Sequence, residues 1–111
     1  MPRSMIIILS NCPPDRAEPI ASALVEERLA ACVNALPGIR STYRWQGRVE
    51  REGETTLMVK TSAAALERCL ARLRALHPYE CPELVVLTPD VAASFAPYVA
   101  WVRDQTTDEP G

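Results

Sequence analysis

The stretch IRSTYRWQGRVEREGETTLMVKT, residues 39–61, determines how this chain folds, because it has the pattern of two β-strands joined by a tight turn. Alternate residues of a strand point to opposite faces, so Tyr43 and Trp45 share one face. The Gln-Gly pair at 46–47 is predicted as a two-residue hairpin turn, since glycine accepts the positive φ that such turns need. That turn fixes the pairing of the strands and places Tyr43 opposite Glu50.

The return strand of this hairpin is long for a chain of 111 residues. A straight strand over 49–61 spans on the order of 40 Å, whereas a domain of this length is about 35 Å across. The hairpin tip is therefore expected to extend past the body, as a two-stranded ribbon that is marginal in water and exposes unpaired edge groups. We expect other copies of the chain to cover it, with Tyr43 and Trp45 as interface anchors. The alternative is that the ribbon curls back over its own sheet.

Further strands are predicted on either side of the hairpin. The apolar runs 5–9 (MIIIL) and 84–87 (LVVL) do not alternate with polar residues, which indicates strands buried on both faces. Residues 31–35 form another short strand, which Pro37-Gly38 interrupts before the hairpin begins.

Three helices are predicted from apolar residues at helical spacing. The first runs from about Asp15 to Ala30, with Pro19 in its first turn, where a missing N–H costs little. The second has Ser62 as its N-cap and ends before Pro78. A short third helix follows the last strand. The apolar stripes are Ala17, Ile20, Ala21, Leu24 and Val25; then Leu66, Cys69, Leu70, Leu73 and Leu76; then Phe95, Tyr98, Val99 and Val102.

The predicted order is β-α-β-β-α-β with a terminal helix. Two β-α-β crossovers joined by a hairpin give an α+β fold, the ferredoxin-like split β-α-β sandwich. We expect one domain over 1–111, with a frayed tail at about 106–111.

Composition excludes several classes of function. The formal net charge is -2, which is not the basic surface that nucleic acid requires. The apolar run 5–9 is far shorter than the ~20 residues of a membrane span, and short for a signal-peptide core. We therefore expect a cytoplasmic protein that binds neither nucleic acid nor membrane.

The common catalytic motifs are also missing from the sequence. One histidine rules out H-E-x-x-H, and neither G-x-S-x-G nor a phosphate-binding glycine loop occurs. The four cysteines form no C-x-x-C pair, so free thiols are expected in a reducing compartment. These absences favour a protein that is not an enzyme.

A few residues remain as candidates for a binding site. His77 either caps the C-terminus of the second helix or serves as a metal ligand or polar contact in a subunit cleft. Cys81 lies in the loop beyond it and is a candidate partner. Cys32, on a short strand next to small residues, either packs in the core or serves as a further metal ligand. Lys60 either extends into solvent at a strand end or contacts an anion.

Lys60 is grouped with other polar side chains as a candidate cleft that binds a small anion. The predicted cleft residues are Lys60, Tyr79, Glu80 and Glu54. Trp101 in the last helix is interpreted as a core or interface residue. Cys69 is interpreted as a core residue, because it lies on the apolar stripe of its helix.

Several blocks of the sequence, taken in order, resemble the CutA family of divalent-cation tolerance proteins. They are 23–34 (ALVEERLAACVN), 37–38 (PG), 41–47 (STYRWQG), 60–61 (KT) and 76–83 (LHPYECPE), with Tyr98 and Trp101 in the terminal helix. The resemblance implies a cytoplasmic homotrimer joined through the long hairpin, a link to copper and divalent-cation tolerance, and no established catalysis. No cofactor is obligatory; copper or another divalent metal is the implied ligand.

The resemblance also implies which residues could bind copper. Copper-binding members of the family have a cysteine at the end of the first strand and two adjacent histidines before Pro-Tyr. Here Leu9-Ser10 and Leu76-His77 occupy those places, so only His77 carries over.

Three functions follow as hypotheses. The first is a trimeric metal-binding or signalling module of divalent-cation tolerance. The second is a trimeric sensor of a small anion, similar to the PII proteins, which bind effectors in clefts between subunits. An enzyme that uses Cys81 or Cys32 with His77 is the third and least supported.

Overall fold

The structure is a computed structural model that describes residues 5–107. Its main elements are β1 (Met5–Cys12), α1 (Ala17–Glu26), β2 (Cys32–Trp45), β3 (Arg48–Ser62), α2 (Leu66–Leu76), β4 (Val85–Leu87) and α3 (Ala96–Gln105). This sequence of elements confirms the predicted β-α-β-β-α-β order with a terminal helix. No helix within the described range is long and apolar enough to cross a bilayer.

The four strands form one antiparallel sheet in the order β2-β3-β1-β4. Each helix crossover joins two parallel strands that have a third strand between them, which is the split β-α-β arrangement. The predicted α+β, ferredoxin-like class is confirmed. The chain adopts this fold because α1 and α2 are amphipathic, and both bury their apolar sides against the same face of the sheet.

The core lies between that face and helices α1 and α2. Its fully buried side chains include Ile8, Ile20, Leu24, Leu57 and Leu73. Burial of each such side chain contributes about 1.5–3 kcal/mol relative to exposure. Residues 5–107 cover the other face only at one end, where Val99 and Val102 of α3 pack against Met5.

The hairpin extends beyond the rest of the sheet, as predicted. β1 pairs with β3 only from Thr55 to Ser62, so among the described strands residues 48–54 pair with β2 alone. The paired segments 39–45 and 48–54 are called the ribbon below. The molecule measures 45 × 27 × 22 Å, which is elongated for its size. Gln46 and Gly47 have positive φ of 51° and 82°, and Tyr43 pairs with Glu50, so the predicted turn and register are confirmed.

Strand boundaries differ from the predictions in two places. β1 continues through Asn11 to Cys12, because these polar residues pair with β3 instead of starting a turn. Residues 32–45 form one strand, and the predicted interruption at Pro37-Gly38 is a register shift between Leu36 and Ile39. Gly38 takes φ +78°, which lets the strand absorb the irregularity without ending.

The last strand is also corrected, because β4 was predicted to be buried on both faces. Val85, Val86 and Leu87 are 44%, 39% and 42% exposed. β4 is the edge strand of the sheet, so no described strand pairs with it on its outer side. Its apolar side chains therefore remain partly exposed among the described residues.

The helix starts and ends needed correction as well. α1 is shorter than predicted, because the chain turns after Glu26 and Arg28 takes φ 61°. Ser62 is the last residue of β3 and does not cap α2 directly. Its Oγ instead accepts a hydrogen bond from the Ala65 amide in the turn before the helix. The predicted end of α2 is confirmed, since His77 is its C-cap.

The predicted fraying of the tail is wrong at Thr106 and Thr107. Thr106 is 1% exposed, and its Oγ1 donates a hydrogen bond to Ser62 Oγ at 2.7 Å. Arg28 Nε donates to the carbonyl of Thr107 at 3.0 Å. The rest of the predicted tail, 108–111, lies outside the described residues.

Candidate functional site

A cleft of about 850 Å³ lies between the ribbon and the loop 78–83. The ribbon forms one wall because it extends past β1, and the loop after α2 forms the other. The side chains that line the cleft include aromatic rings and carboxylates. They are Asn11, Ser41, Thr42, Tyr43, Trp45, Glu50, Glu52, Glu54, Pro78, Tyr79, Glu80, Cys81 and Glu83. Tyr79, Glu80 and Glu54, three of the four residues predicted for a cleft, therefore lie around one cleft.

A short hydrogen bond joins the two walls. The Tyr79 hydroxyl donates to Glu54 Oε2 at 2.6 Å, and Glu54 is only 6% exposed. Burial, then the hydrogen bond to Glu54, raises the pKa of Tyr79. Because a buried carboxylate is costly without a donor, this bond holds the loop against the base of the ribbon.

A second tyrosine–carboxylate pair lies farther along the ribbon. The Tyr43 hydroxyl donates to Glu52 Oε1 at 2.9 Å, and this bond raises the pKa of Tyr43 to about 12. Glu50, Glu52 and Glu83 were not predicted as cleft residues. The first two could have been found, because the hairpin register that sets Tyr43 opposite Glu50 also places Glu52 on the same face.

The cleft lining is strongly acidic. Among the described residues, it contains the carboxylates of Glu50, Glu52, Glu54, Glu80 and Glu83 and no lysine or arginine. Two of the five accept tyrosine hydroxyls, and Glu83 accepts a hydrogen bond from the Asn11 amide at 2.9 Å. These neutral donors leave the negative charge in place, so the cleft attracts cations.

His77 has hydrogen-bond partners on both ring nitrogens. Its Nε2 lies 2.7 Å from the Asn11 carbonyl, and its Nδ1 accepts from the Tyr79 N–H at 3.2 Å. A carbonyl can only accept, so the proton is on Nε2 and the ring is neutral. The ring also packs on Tyr79, with centroids 4.8 Å apart, and His77 is 6% exposed. Neither nitrogen has a lone pair available for a metal in this arrangement.

The residues predicted as metal ligands do not converge. Cys32 of β2 pairs with Lys60 of β3, and Lys60 in turn pairs with Ile7 of β1, so Cys32 lies level with Ile7 in the sheet. His77 instead bonds to Asn11 of β1. Those positions on β1 are four residues apart, or roughly 13 Å. Cys81 lines the cleft, apart from Cys32. Within residues 5–107, no group of three or more His, Cys, Asp or Glu side chains could hold a metal ion.

Lys60 does not belong to the cleft with which it was grouped. It lies six residues along β3 from Glu54, or roughly 20 Å. Its Nζ is instead 5.8 Å from the centroid of the Tyr98 ring in α3, a cation–π contact. The tertiary structure therefore divides the predicted anion site between the two ends of the sheet.

The two buried cysteines are poor nucleophiles. Burial raises the pKa of the Cys12 thiol, with the charge of Glu54 adding to the effect. Burial also raises the pKa of Cys69 to about 11, an effect partly offset by a side-chain hydrogen bond between Cys69 and Thr61. Because the thiolate is the reactive form, both side chains are suited to packing.

Replacing Tyr79 by phenylalanine is expected to lower the free energy of unfolding by about 1.5–3 kcal/mol near neutral pH, because buried Glu54 loses its donor. The raised pKa of Tyr79 gives stability that is present below pH ~10, the ordinary value, and is lost as pH rises further. The difference in free energy of unfolding between the original protein and the Tyr79→Phe variant should therefore become smaller above pH ~10. Urea unfolding of both proteins at several pH values measures this difference.

The matched control for this test is Tyr98→Phe, which removes a hydroxyl remote from the cleft. That variant should have nearly the stability of the original protein at every pH. A Tyr79→Phe variant as stable as the control would show that the bond to Glu54 does not hold the loop.

Comparison with known proteins places the chain in a family. The CutA1 divalent ion tolerance protein family matches residues 6–105. The chain is 46% identical over 101 residues to the divalent-cation tolerance protein CutA of Thermus thermophilus, covering 90% of this chain and 96% of that protein. It is 40% identical to protein CutA of Homo sapiens over 107 residues, covering 96% of this chain and 59% of that protein.

Solved structures give the same result. The PII-like protein CutA from Nostoc superposes with a TM-score of 0.89 at 45% identity, covering 94% of this chain and 99% of that one. CutA from Xylella fastidiosa superposes with a TM-score of 0.88 at 42% identity, covering 93% and 98%. The shared fold, the identity and the nearly full coverage agree with the blocks quoted from the sequence. The chain belongs to the CutA1 divalent ion tolerance protein family.

Proposed function

We propose that this chain works as a cytoplasmic, non-enzymatic homotrimer that binds a cation and acts in divalent-cation tolerance. The observation that carries the proposal is the ribbon, since residues 48–54 have a partner strand on one side only. A ribbon of two strands is marginal in water and needs further pairing or packing. Neighbouring copies supply that packing.

The uncovered face of the sheet supports the same assembly. Leu36, Val85 and Leu87 are 42–44% exposed on strands whose opposite face is the core. Trp45 at 43% and Tyr43 at 38% add exposed aromatic surface on the ribbon. Apolar surface of this kind marks a protein interface. Trp101, 42% exposed in α3, is a further candidate interface residue.

A cation suits the cleft better than an anion does. In the part of the chain that the structure describes, five carboxylates and no basic side chain line it, and Lys60 lies elsewhere. The alternative of a small-anion sensor, similar to PII proteins, therefore has weaker support within one chain. Copper or another divalent metal is the proposed class of ligand, and the negative charge of the cleft is what attracts it. Within one chain, no three of the described His, Cys, Asp or Glu side chains are grouped to coordinate it.

Two measurements test the proposal. Light scattering should give three times the chain mass at micromolar concentration, and a stable monomer would contradict the assembly. Calorimetric titration with copper(II) and with magnesium tests the ligand. Weak binding lost in Glu52→Gln/Glu80→Gln and kept in His77→Gln would support the cleft, whereas no heat with either metal would remove direct binding.

A further inference from the structure

Asn11 near the end of β1 joins both ends of the loop 78–83 to the sheet. Its carbonyl accepts a hydrogen bond from His77 Nε2 at 2.7 Å, and its side-chain amide donates to Glu83 Oε1 at 2.9 Å. His77 immediately precedes the loop, and Glu83 is its last residue. Asn11 Oδ1 accepts from Thr56 Oγ1 of β3 at 2.6 Å, which fixes the orientation of the amide. A single β1 residue therefore holds the loop at its beginning and at its end.

The middle of the loop is held by the hydrogen bond that Tyr79 donates to Glu54 at 2.6 Å. This bond and the side-chain bond from Asn11 to Glu83 are together called the latch below. No residue of 78–83 is fully buried, so polar bonds and not core packing hold the loop in place. A segment with few buried contacts opens locally at a low cost in free energy.

The latch uses the same carboxylates that give the cleft its charge. Glu54 and Glu83 accept the two latch bonds, and Glu52 accepts the Tyr43 hydroxyl, so neutral donors engage three of the five carboxylates. With these bonds in place, no three His, Cys, Asp or Glu side chains within residues 5–107 are grouped to hold a metal ion. A cation that binds in the cleft therefore has to draw carboxylates away from their donors.

We propose that the loop 78–83 is a cation-sensitive lid, in which a divalent cation and the latch compete for the carboxylates of Glu54 and Glu83. This inference rests on the proposed binding of a cation in the cleft. Binding of the cation opens the lid, and the closed lid weakens binding by the same factor, because coupling between two equilibria is reciprocal. The lid thus converts an occupied cleft into a change of shape on the protein surface.

The burial of Glu54 determines the direction of the change. Glu54 is 6% exposed while the Tyr79 hydroxyl is bonded to it. A cation gains access to this carboxylate once Tyr79 moves away, so binding favours the open lid. A divalent cation also interacts with a carboxylate more strongly than a neutral hydroxyl or amide does, because the attraction is between full charges.

Hydrogen exchange of the full chain tests whether a cation opens the lid. The Tyr79 N–H donates to His77 Nδ1 at 3.2 Å, so its exchange is slow only while the loop is in place. Saturating magnesium chloride or copper(II) chloride should raise the exchange rate of the segment 78–83 about tenfold, as expected from the loss of hydrogen bonds to charged groups. Potassium chloride at the same ionic strength is the control and should leave the rate unchanged.

Variants without the latch test the competition itself. Tyr79→Phe removes the donor to Glu54, and Asn11→Ala removes the donor to Glu83 while keeping the carbonyl that His77 contacts. Each variant should bind magnesium or copper(II) about tenfold more tightly than the original protein, because the cation no longer displaces a donor. Calorimetric titration measures the affinities, and circular dichroism checks the folding of each variant.

Tyr98→Phe and Asn34→Ala are the matched controls, since they make the same changes at positions outside the cleft lining. Both should have the affinity of the original protein. If only the latch variants tighten binding, the loss of a latch donor is the cause.

The outcomes separate the lid from the proposed function. No heat with either metal, in the original protein and in both latch variants, would overturn cation binding and the lid together. Heat with the original protein, but unchanged loop exchange and unchanged affinities in the folded latch variants, would overturn the lid and leave cation binding in place. Slower exchange on binding, or weaker binding by the latch variants, would also overturn it, because the loop would then close on the cation.

Discussion

Replacing Trp45 by alanine is expected to weaken the homotrimer by about 2 kcal/mol or more per interface, the effect typical of buried aromatic anchors. Trp45 lies next to the hairpin turn and is 43% exposed within one chain. It lies at the tip of the ribbon, which we propose is covered by neighbouring copies of the chain. Sedimentation over a range of protein concentrations measures the subunit dissociation constant.

Trp101→Ala is the matched control for this prediction. Its side chain has nearly the same exposure, at 42%, but it packs within its own chain against Tyr98, with ring centroids 5.6 Å apart. We therefore expect a smaller loss of assembly affinity from Trp101→Ala. Equal dissociation constants for the Trp45→Ala variant and the original protein would exclude Trp45 from the interface.

Replacing His77 by alanine is expected to lower the free energy of unfolding by about 2–4 kcal/mol, because two polar groups lose a partner and the ring leaves a space. The Asn11 carbonyl and the Tyr79 N–H both bond to this ring, which ties β1 to the loop after α2. Urea unfolding at a fixed protein concentration measures the loss, since an oligomer's stability depends on concentration.

Arg74→Ala is the control, because Arg74 is an exposed residue in the last turn of the same helix. It should change the free energy of unfolding by less than about 0.5 kcal/mol. His77→Gln should recover part of the loss, since its amide can donate to the Asn11 carbonyl. A His77→Ala variant as stable as the control would contradict the structural role, and would make His77 available as a ligand again.

The elements and their order were predictable because they depend on local patterns. The Gln-Gly turn fixes the register of the hairpin within a few residues, and helical spacing marks which side of α1 and α2 is apolar. The exposure of β4 was not predictable, because an apolar run has the same sequence whether or not a neighbour covers it.

The candidate site, like the fold, was partly predictable from sequence and partly decided by tertiary packing. The sequence alone determined the antiparallel ribbon, its overhang, and the presence of Tyr79, Glu80 and Glu54 among the polar residues of interest. Only the tertiary structure decided that the Tyr79 hydroxyl reaches Glu54, that both nitrogens of His77 are engaged, and that Lys60 lies at the other end of the sheet. The physical reason is that such contacts join residues far apart in the chain. Their meeting depends on how the sheet and the loop pack, which no local period encodes.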